Sequence, residues 1–303
     1  MSTPEETVYS AQPINSRPIS ELESNPPATH EIVNPENPPW GVLSALITWF
    51  TSVVLLALVP NLCVLPYLAY RYRGVSVATR EALLSDRTFV FLFVLGWVPA
   101  HLLTLVLIWA VATRLGKFSV REVFGFNWSR NFGILELVVN AGLAISLFLA
   151  ALLVTAWFGA QPTDLDRILQ SSRATALMMA FIAIATAPLV EELIYRGLLY
   201  SALQRVIGRL FAVIVVTAMF AGLHVWQYRQ NIGAILSISV LSVVLTTIRA
   251  RTGRLLPCFV IHLVFNGIQS LIIVFEPYLR ALFNLWQHTT SNGALIYLFR
   301  FLG

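Results

Sequence analysis

The sequence predicts an all-α membrane protein, a polytopic transmembrane helical bundle of about seven to eight helices. Of its 303 residues, 57% are hydrophobic and only 12% are charged, which is far from the composition of soluble proteins. Several apolar runs without a charged residue are long enough for a helix to cross a hydrocarbon core about 30 Å thick. A helix satisfies its own backbone hydrogen bonds, so it is the element expected to span lipid.

The predicted spans follow these uncharged runs along the chain. They cover residues 40–70, 88–113, 137–160, 174–190, 211–227, 231–248 and 255–275, with a weaker, aromatic-rich run at 281–299. The first run is longer than one crossing requires and contains Pro60 and Pro66. We therefore expect a kinked helix there, or a helix followed by a re-entrant piece.

Residues 1–39 differ from the rest of the chain. They contain six glutamates, one arginine, many prolines and few large apolar residues, a composition typical of a disordered acidic tail. This leaves residues 40–303 as the transmembrane domain. Because the start is acidic and polar, it does not resemble a secretory signal, and we expect the first hydrophobic helix to direct insertion.

The net charge of +5 comes mostly from arginines that lie between the apolar runs, a membrane-flank pattern whose distribution favours a cytoplasmic N-terminus. No basic surface with aromatic partners is visible, so nucleic acid is not expected as a partner. Cys63 and Cys258 both lie in apolar runs, where a thiol behaves as a small hydrophobe. Neither a disulfide framework nor a CxxC zinc site is predicted.

Ionisable residues inside apolar spans are costly and therefore informative. The first set is Glu191, Glu192 and Arg196. Successive helical residues point about 100° apart, so the two glutamates cannot share a direction. Glu192 and Arg196 stand four apart in the favourable orientation for an ion pair, which leaves Glu191 for chemistry, because a carboxylate in low dielectric suits general acid or base catalysis. The alternative is that the helix ends at the double glutamate, as a charged flank.

Two further sets follow on later spans. His224 lies near the end of its run and, taken alone, is typical of an interfacial or structural histidine. His262 and Asn266 lie four residues apart on one helix face, where they can hold a water or a developing oxyanion. They can equally form hydrogen bonds that hold two helices together.

His101 and Glu136 also lie in or near spans, without an opposite charge at helical spacing, and we interpret both as structural or interfacial. The combination of the other three sets is more informative than any one of them. They fall on three helices within residues 191–266, and one shared polar cavity explains them better than three independent accidents.

These motifs resemble those of the CAAX prenyl protease and bacteriocin-processing family of intramembrane endopeptidases. The family pattern EExxxR, FxxxH, HxxxN or HxxxD appears here in order as Glu191-Glu192 with Arg196, Phe220 with His224, and His262 with Asn266. The resemblance covers about residues 170–270, which would form the catalytic core.

The resemblance implies a role for each motif residue. Glu191 would be the general base that activates a water, with His224 assisting it. His262 and Asn266 would stabilise the oxyanion, and Arg196 would hold the acidic pair. The family description links Arg196 to the first glutamate, whereas helical spacing favours Glu192, and the sequence leaves both pairings open.

No cofactor is predicted, although a zinc site built from the same glutamate and histidines is the competing family description. The helical zinc motif HExxH is absent from the sequence. The GxGD and GxSG motifs of aspartyl and rhomboid intramembrane proteases are absent as well. Serine and aspartate mechanisms are therefore not expected, and the family resemblance implies a glutamate-dependent endopeptidase.

The resemblance implies membrane-associated or lipidated peptides as substrates. The expected location is a bacterial inner membrane, while the sequence does not predict an oligomeric state. The alternative function is a non-catalytic membrane scaffold or bacteriocin-immunity protein of the same fold. A proton-relaying transporter is disfavoured, because the early spans contribute only His101 and Glu136 to any polar path.

Overall fold

The computed structural model describes residues 33–73, 79–129, 133–159 and 163–289. Within these residues, six helical segments are long and apolar enough to cross a membrane. They are Val42–Arg71, Arg87–Ala112, Gly133–Phe158, Arg173–Val225, Ile232–Thr252 and Leu256–Asn284. The predicted all-α polytopic bundle is confirmed.

The described chain consists of twelve α-helices and one π-helical segment. In chain order they are α1 (Val42–Arg71), α2 (Arg80–Ser85), α3 (Arg87–Leu95), α4 (Trp97–Ala112), α5 (Val120–Phe124), α6 (Gly133–Phe158), α7 (Asp164–Ser171), α8 (Arg173–Ala185), α9 (Ala187–Glu192), the π segment (Leu193–Leu199), α10 (Tyr200–Tyr228), α11 (Ile232–Thr252) and α12 (Leu256–Thr289).

The segment Arg173–Val225 accounts for the difference between six observed and seven to eight predicted spans. At about 1.5 Å per residue, its 53 residues greatly exceed one crossing. Gly208 interrupts it with φ 77° and ψ 163°, a conformation that glycine adopts without a Cβ clash. Two predicted spans, 174–190 and 211–227, lie on either side of this break. The predicted eighth span, 281–299, begins within α12, and from residue 290 on it lies outside the described residues.

Proline positions explain two features of the long helices. α1 runs continuously through Pro60 and Pro66, so the re-entrant alternative is wrong. In α12, Pro277 has no N–H to donate to the carbonyl of Ile273. Nη1 of Arg173 donates to this carbonyl at 2.8 Å, so a charged side chain from α8 replaces the missing backbone bond.

The interior of the bundle is built around the π segment, all seven residues of which are buried. α1, α4 and α10 pack around it, while α6 and α8 pack against α12, and α11 packs against α6 and α10. The outer faces of these helices expose many leucine, isoleucine and phenylalanine side chains, as expected of surfaces that contact lipid.

The boundary of the predicted acidic tail differs in the structure. Residues 1–32 of that tail lie outside the described residues, so their disorder stays a prediction. Residues 33–39 are instead docked on the helical domain, where Pro38 and Pro39 are buried. The backbone carbonyls of Pro38 and Pro39 accept hydrogen bonds from Arg205 and Arg114, respectively.

Candidate active site

The helix that carries the two glutamates is distorted twice, close to them on both sides. Thr186 separates α8 from α9, and the π segment follows Glu192 directly. Pro188 contributes to the first distortion, because it cannot donate a backbone hydrogen bond. π-helical turns are rare and frequently mark functional sites. The chain stays helical through the glutamates, so the interpretation of them as a charged helix end is wrong.

Glu192 and Arg196 form a fully buried ion pair. Nη1 of Arg196 donates to Oε1 of Glu192 at 2.8 Å, and both side chains are 0% exposed. This confirms the pairing that helical spacing favours. The guanidinium carbon also lies 4.7 Å from the ring centroid of Phe220, a cation–π contact that gives the phenylalanine of the second motif a physical role.

Two α11 side chains complete the surroundings of Arg196. Its Nε donates to Oγ1 of Thr246 at 3.2 Å, and its Nη2 donates to Oγ of Ser242 at 2.9 Å. Sequence reasoning missed both residues, since hydroxyl residues are ordinary in membrane helices. Their spacing of four within one span was the available signal, because it places both on one face towards a neighbouring helix.

The imidazole of His262 lies between the two glutamates. Its Nδ1 is 2.7 Å from Oε1 of Glu192, and its Nε2 is 3.6 Å from Oε2 of Glu191. An ionised carboxylate only accepts hydrogen bonds, so the short contact places a proton on Nδ1. Nε2 therefore faces Glu191. The histidine is 3% exposed and Glu191 is 26% exposed, so Glu191 is the accessible member of the group.

The formal charges of this group do not balance. One cation, Arg196, faces two carboxylates, and Oε2 of Glu192 is buried without a hydrogen-bond partner among the described residues. A buried net charge is unfavourable in a membrane domain.

His224 lies beside the same cluster without joining it by a hydrogen bond. Its Nδ1 is 2.8 Å from the backbone oxygen of Phe220. Because a carbonyl only accepts hydrogen bonds, Nδ1 carries a proton, and Nε2 makes no part of this contact. The rings of His224 and His262 lie 4.7 Å and 6.2 Å from that of Phe220. Within the described chain, His224 makes no hydrogen bond to Glu191 or His262.

Asn266 bridges two helices. Its Nδ2 donates to the backbone oxygen of Ala183 in α8 at 3.2 Å, close to the break at Thr186. One amide hydrogen is thus used for helix–helix contact, as the alternative interpretation of this residue proposed, and one amide hydrogen remains for another acceptor. His262 likewise bonds across, from α12 to α9.

The two remaining ionisable candidates occupy different surroundings. The carboxylate of Glu136 forms an ion pair with Arg254, whose Nη2 and Nη1 lie 2.6 Å and 2.8 Å from its two oxygens. The predicted structural role of Glu136 is therefore confirmed. His101 is buried, and its Nδ1 lies 2.7 Å from Oγ1 of Thr186. It also interacts electrostatically with Glu191, so it lies nearer the candidate site than the sequence indicated.

A metal site requires three or four ligands around one point. Within the described residues, no group of three or more His, Cys, Asp or Glu side chains has an arrangement that could hold a metal ion. The described residues as placed therefore do not fit a zinc site.

Comparison with known proteins identifies one matching family. Residues 173–268 match the family model described as type II CAAX prenyl endopeptidase Rce1-like, almost the same segment as the predicted core at 170–270. Searches of curated proteins and of solved structures found no significant match. The matched segment contains all seven motif residues, and the match confirms the resemblance. Over this segment the chain is similar to type II CAAX prenyl endopeptidases, which supports the family resemblance that the motifs indicate.

Proposed function

We propose that this protein is an intramembrane, glutamate-dependent endopeptidase that hydrolyses peptide bonds of membrane-associated or lipidated substrates. The observation that carries the proposal is the row of Glu192, His262 and Glu191, in which one carboxylate is fixed by Arg196 and the other is partly accessible. Such an arrangement orients a histidine through one ring nitrogen and presents the other to a reacting group.

In this proposal Glu191 is the general base. It removes a proton from a water molecule, whose oxygen forms a bond to the carbonyl carbon of the scissile peptide. The second ring nitrogen of His262 then donates a hydrogen bond to the developing oxyanion, while the carboxylate of Glu192 at Nδ1 stabilises the positive charge of the imidazole. When the C–N bond breaks, the proton taken by Glu191 passes to the leaving amine, so the base is restored.

The other motif residues support these steps. Glu192 and Arg196 are positioning residues, since they act through His262 and the helix rather than on substrate. The free amide hydrogen of Asn266 is proposed as a second oxyanion donor. His224 is proposed to assist with the water through Nε2, because Phe220 holds its other ring nitrogen.

The substrate class follows from the family and the location of the site. Peptides that carry a prenyl group near a C-terminal CAAX sequence are the first candidates, as the name of the matched family indicates. We further propose a bacterial inner membrane as the location, which stays a prediction.

The test uses full-length protein in lipid nanodiscs with an internally quenched peptide that bears a farnesylated cysteine, and with its unmodified twin. Glu191→Gln should lower kcat by about 10²- to 10⁴-fold, the usual contribution of a general base. Glu122→Gln is the control, because Glu122 is exposed on α5. Cleavage by Glu191→Gln at the wild-type rate would refute the proposal.

A non-catalytic scaffold remains the second candidate, because His262 and Asn266 both form bonds between helices that such a protein would also need. The two functions differ at Glu191, which makes no short hydrogen bond within the described chain. Comparing the membrane peptides of cells that contain wild-type or Glu191→Gln protein separates them. A scaffold predicts identical profiles, whereas an endopeptidase predicts that particular peptides disappear with the variant.

A further inference from the structure

The π segment is held from outside by side chains that the proposed chemistry does not use. Arg249 on α11 is 1% exposed. Its Nε donates to the backbone oxygen of Arg196 at 3.1 Å, and its Nη2 donates to Oγ of Ser201 at 2.9 Å. These acceptors are neutral, so a cation is buried against the backbone of the very residue that pairs with Glu192. Because burying a charge is costly, the position of Arg249 requires a physical explanation.

Arg249 also connects the π segment to the N-terminal segment, defined here as residues 33–40. Its Nη2 donates to the backbone oxygen of Pro35 at 3.2 Å. Nε1 of Trp40 donates to the backbone oxygen of Leu198 at 3.1 Å. Two carbonyls of the π segment, two residues apart, are thus each bound by a side chain from outside the helix.

Gly197, which lies between the two bonded carbonyls, adds close packing to these two hydrogen bonds. A Cβ atom at Gly197 would lie 2.7 Å from Cε1 of Phe124, so only glycine allows this approach. The ring of Phe124 in turn lies 5.6 Å from that of Trp40. Backbone and side chains therefore fix three consecutive positions of the π segment, from Arg196 to Leu198.

Besides Arg249 of α11, arginines of α10 and of the turn after α4 hold the N-terminal segment. Arg114 donates to the oxygen of Pro39 with Nη2 at 2.7 Å, and Arg205 donates to that of Pro38 at 3.2 Å. Arg209 forms an ion pair with Glu36 at 2.9 Å. Proline fixes φ and lacks an N–H, so this segment presents carbonyls to donors rather than pairing with itself.

We propose that Arg249 and the N-terminal segment are positioning elements of the active site, which hold the register of the π segment and through it the glutamates. A π turn has weaker hydrogen-bond geometry than an α-helix and can relax towards it. A change of one residue in register rotates the side chains on one side by about 100°. Such a rotation would separate Glu192 and Arg196 from His262.

This inference rests on the proposed function for its kinetic readout but has a second readout that does not. The first variant is Trp40→Phe in the full-length protein, which keeps an aromatic ring beside Phe124 and removes the donor to Leu198. We expect kcat to fall about 5- to 10-fold, as for one lost hydrogen bond, with KM unchanged. Amide hydrogen exchange of residues 193–199, measured by mass spectrometry, should become faster.

The second pair of variants changes Arg249. Arg249→Gln should lower kcat by about 10- to 100-fold, the range that misplacement of a site by about 1 Å can produce. Arg249→Lys keeps the charge and one donor and should recover part of the loss. Arg251→Gln is the matched control, since Arg251 lies on the same helix but is exposed, and it should resemble wild type in both readouts.

The outcomes separate this inference from the proposed function. Faster exchange at residues 193–199 in the Trp40 and Arg249 variants, in a protein that cleaves nothing, would support positioning and refute only the protease. Unchanged exchange together with unchanged kcat in folded Trp40→Phe would overturn the inference. Activity that falls only in proportion to the folded fraction would also overturn it, since this indicates a general effect on stability.

Discussion

The buried ion pair of Glu192 and Arg196 makes a quantitative prediction about stability. In Glu192→Met or Arg196→Met, one charge keeps its place in the core without its partner. Both side chains are 0% exposed, so water cannot replace the lost partner, and each single variant should lose about 3–5 kcal/mol of unfolding free energy. Methionine has a suitable volume in both places, which limits any cavity.

The double variant should lose much less than the sum of the two single variants. It contains neither charge, and replacement of a buried pair by apolar residues is often close to neutral. The double variant still loses some unfolding free energy, because Nδ1 of His262 loses its acceptor at 2.7 Å. A buried donor without a partner costs about 1–3 kcal/mol. The coupling energy of the cycle should therefore exceed about 3 kcal/mol.

The assay is unfolding of all four proteins in one detergent, followed by circular dichroism under identical conditions. An internal control is the pair Arg80 and Asp164, which has nearly the same distance, 2.7 Å, but side chains that are 57% and 33% exposed. The same cycle there should give about 0.2–1 kcal/mol. A coupling energy for Glu192 and Arg196 as small as that of the control would refute the argument, because it would mean that water reaches the pair.

Three further predictions concern the oxyanion, a metal and the N-terminus. Asn266→Ala should lower kcat by about 10²- to 10³-fold with little change in KM, and a loss of thermal stability at normal kcat would instead assign the amide to helix contact alone. Purified active protein should keep its activity in a strong chelator; stoichiometric zinc whose removal abolishes turnover and whose return restores it would contradict this. Deletion of residues 2–32 should leave turnover nearly unchanged. Deletion of residues 2–39 should lower turnover, because the longer deletion removes the acceptors of Arg249, Arg205 and Arg114. Equal activity of the two truncated proteins would contradict the positioning role.

Hydropathy and helical spacing were sufficient to predict the architecture and one contact of the site. Uncharged runs identify spans because lipid imposes a simple rule on backbone and charge. The pairing of Glu192 with Arg196 is local, four residues along one helix, so helical spacing favoured the observed partner although the motif pattern left both pairings open. The same simplicity explains why three separate motifs on apolar helices indicated a common cavity.

The remaining contacts of the site depend on long-range packing, which spacing does not encode. Trp40 and Leu198 are 158 residues apart, and nothing in a proline-rich segment indicates that it docks on a particular helix. The π segment itself has no compositional signature, because its residues are ordinary for a membrane helix. His262 was placed with Asn266 on one face as predicted, but which glutamate each ring nitrogen meets depends on how α12 packs against α9.

The two adjacent glutamates show how neighbouring residues of one type acquire different properties. Their directions differ by about 100° on the helix, so only one can face Arg196 and the interior of the bundle. Glu192 takes that direction, and Arg196 and His262 fix its carboxylate in place. Glu191 faces the other side of the same imidazole and is 26% exposed, so water can reach it. The proposed general base needs both a supply of water and a rigid neighbouring carboxylate, and consecutive positions on one helix provide these two conditions together.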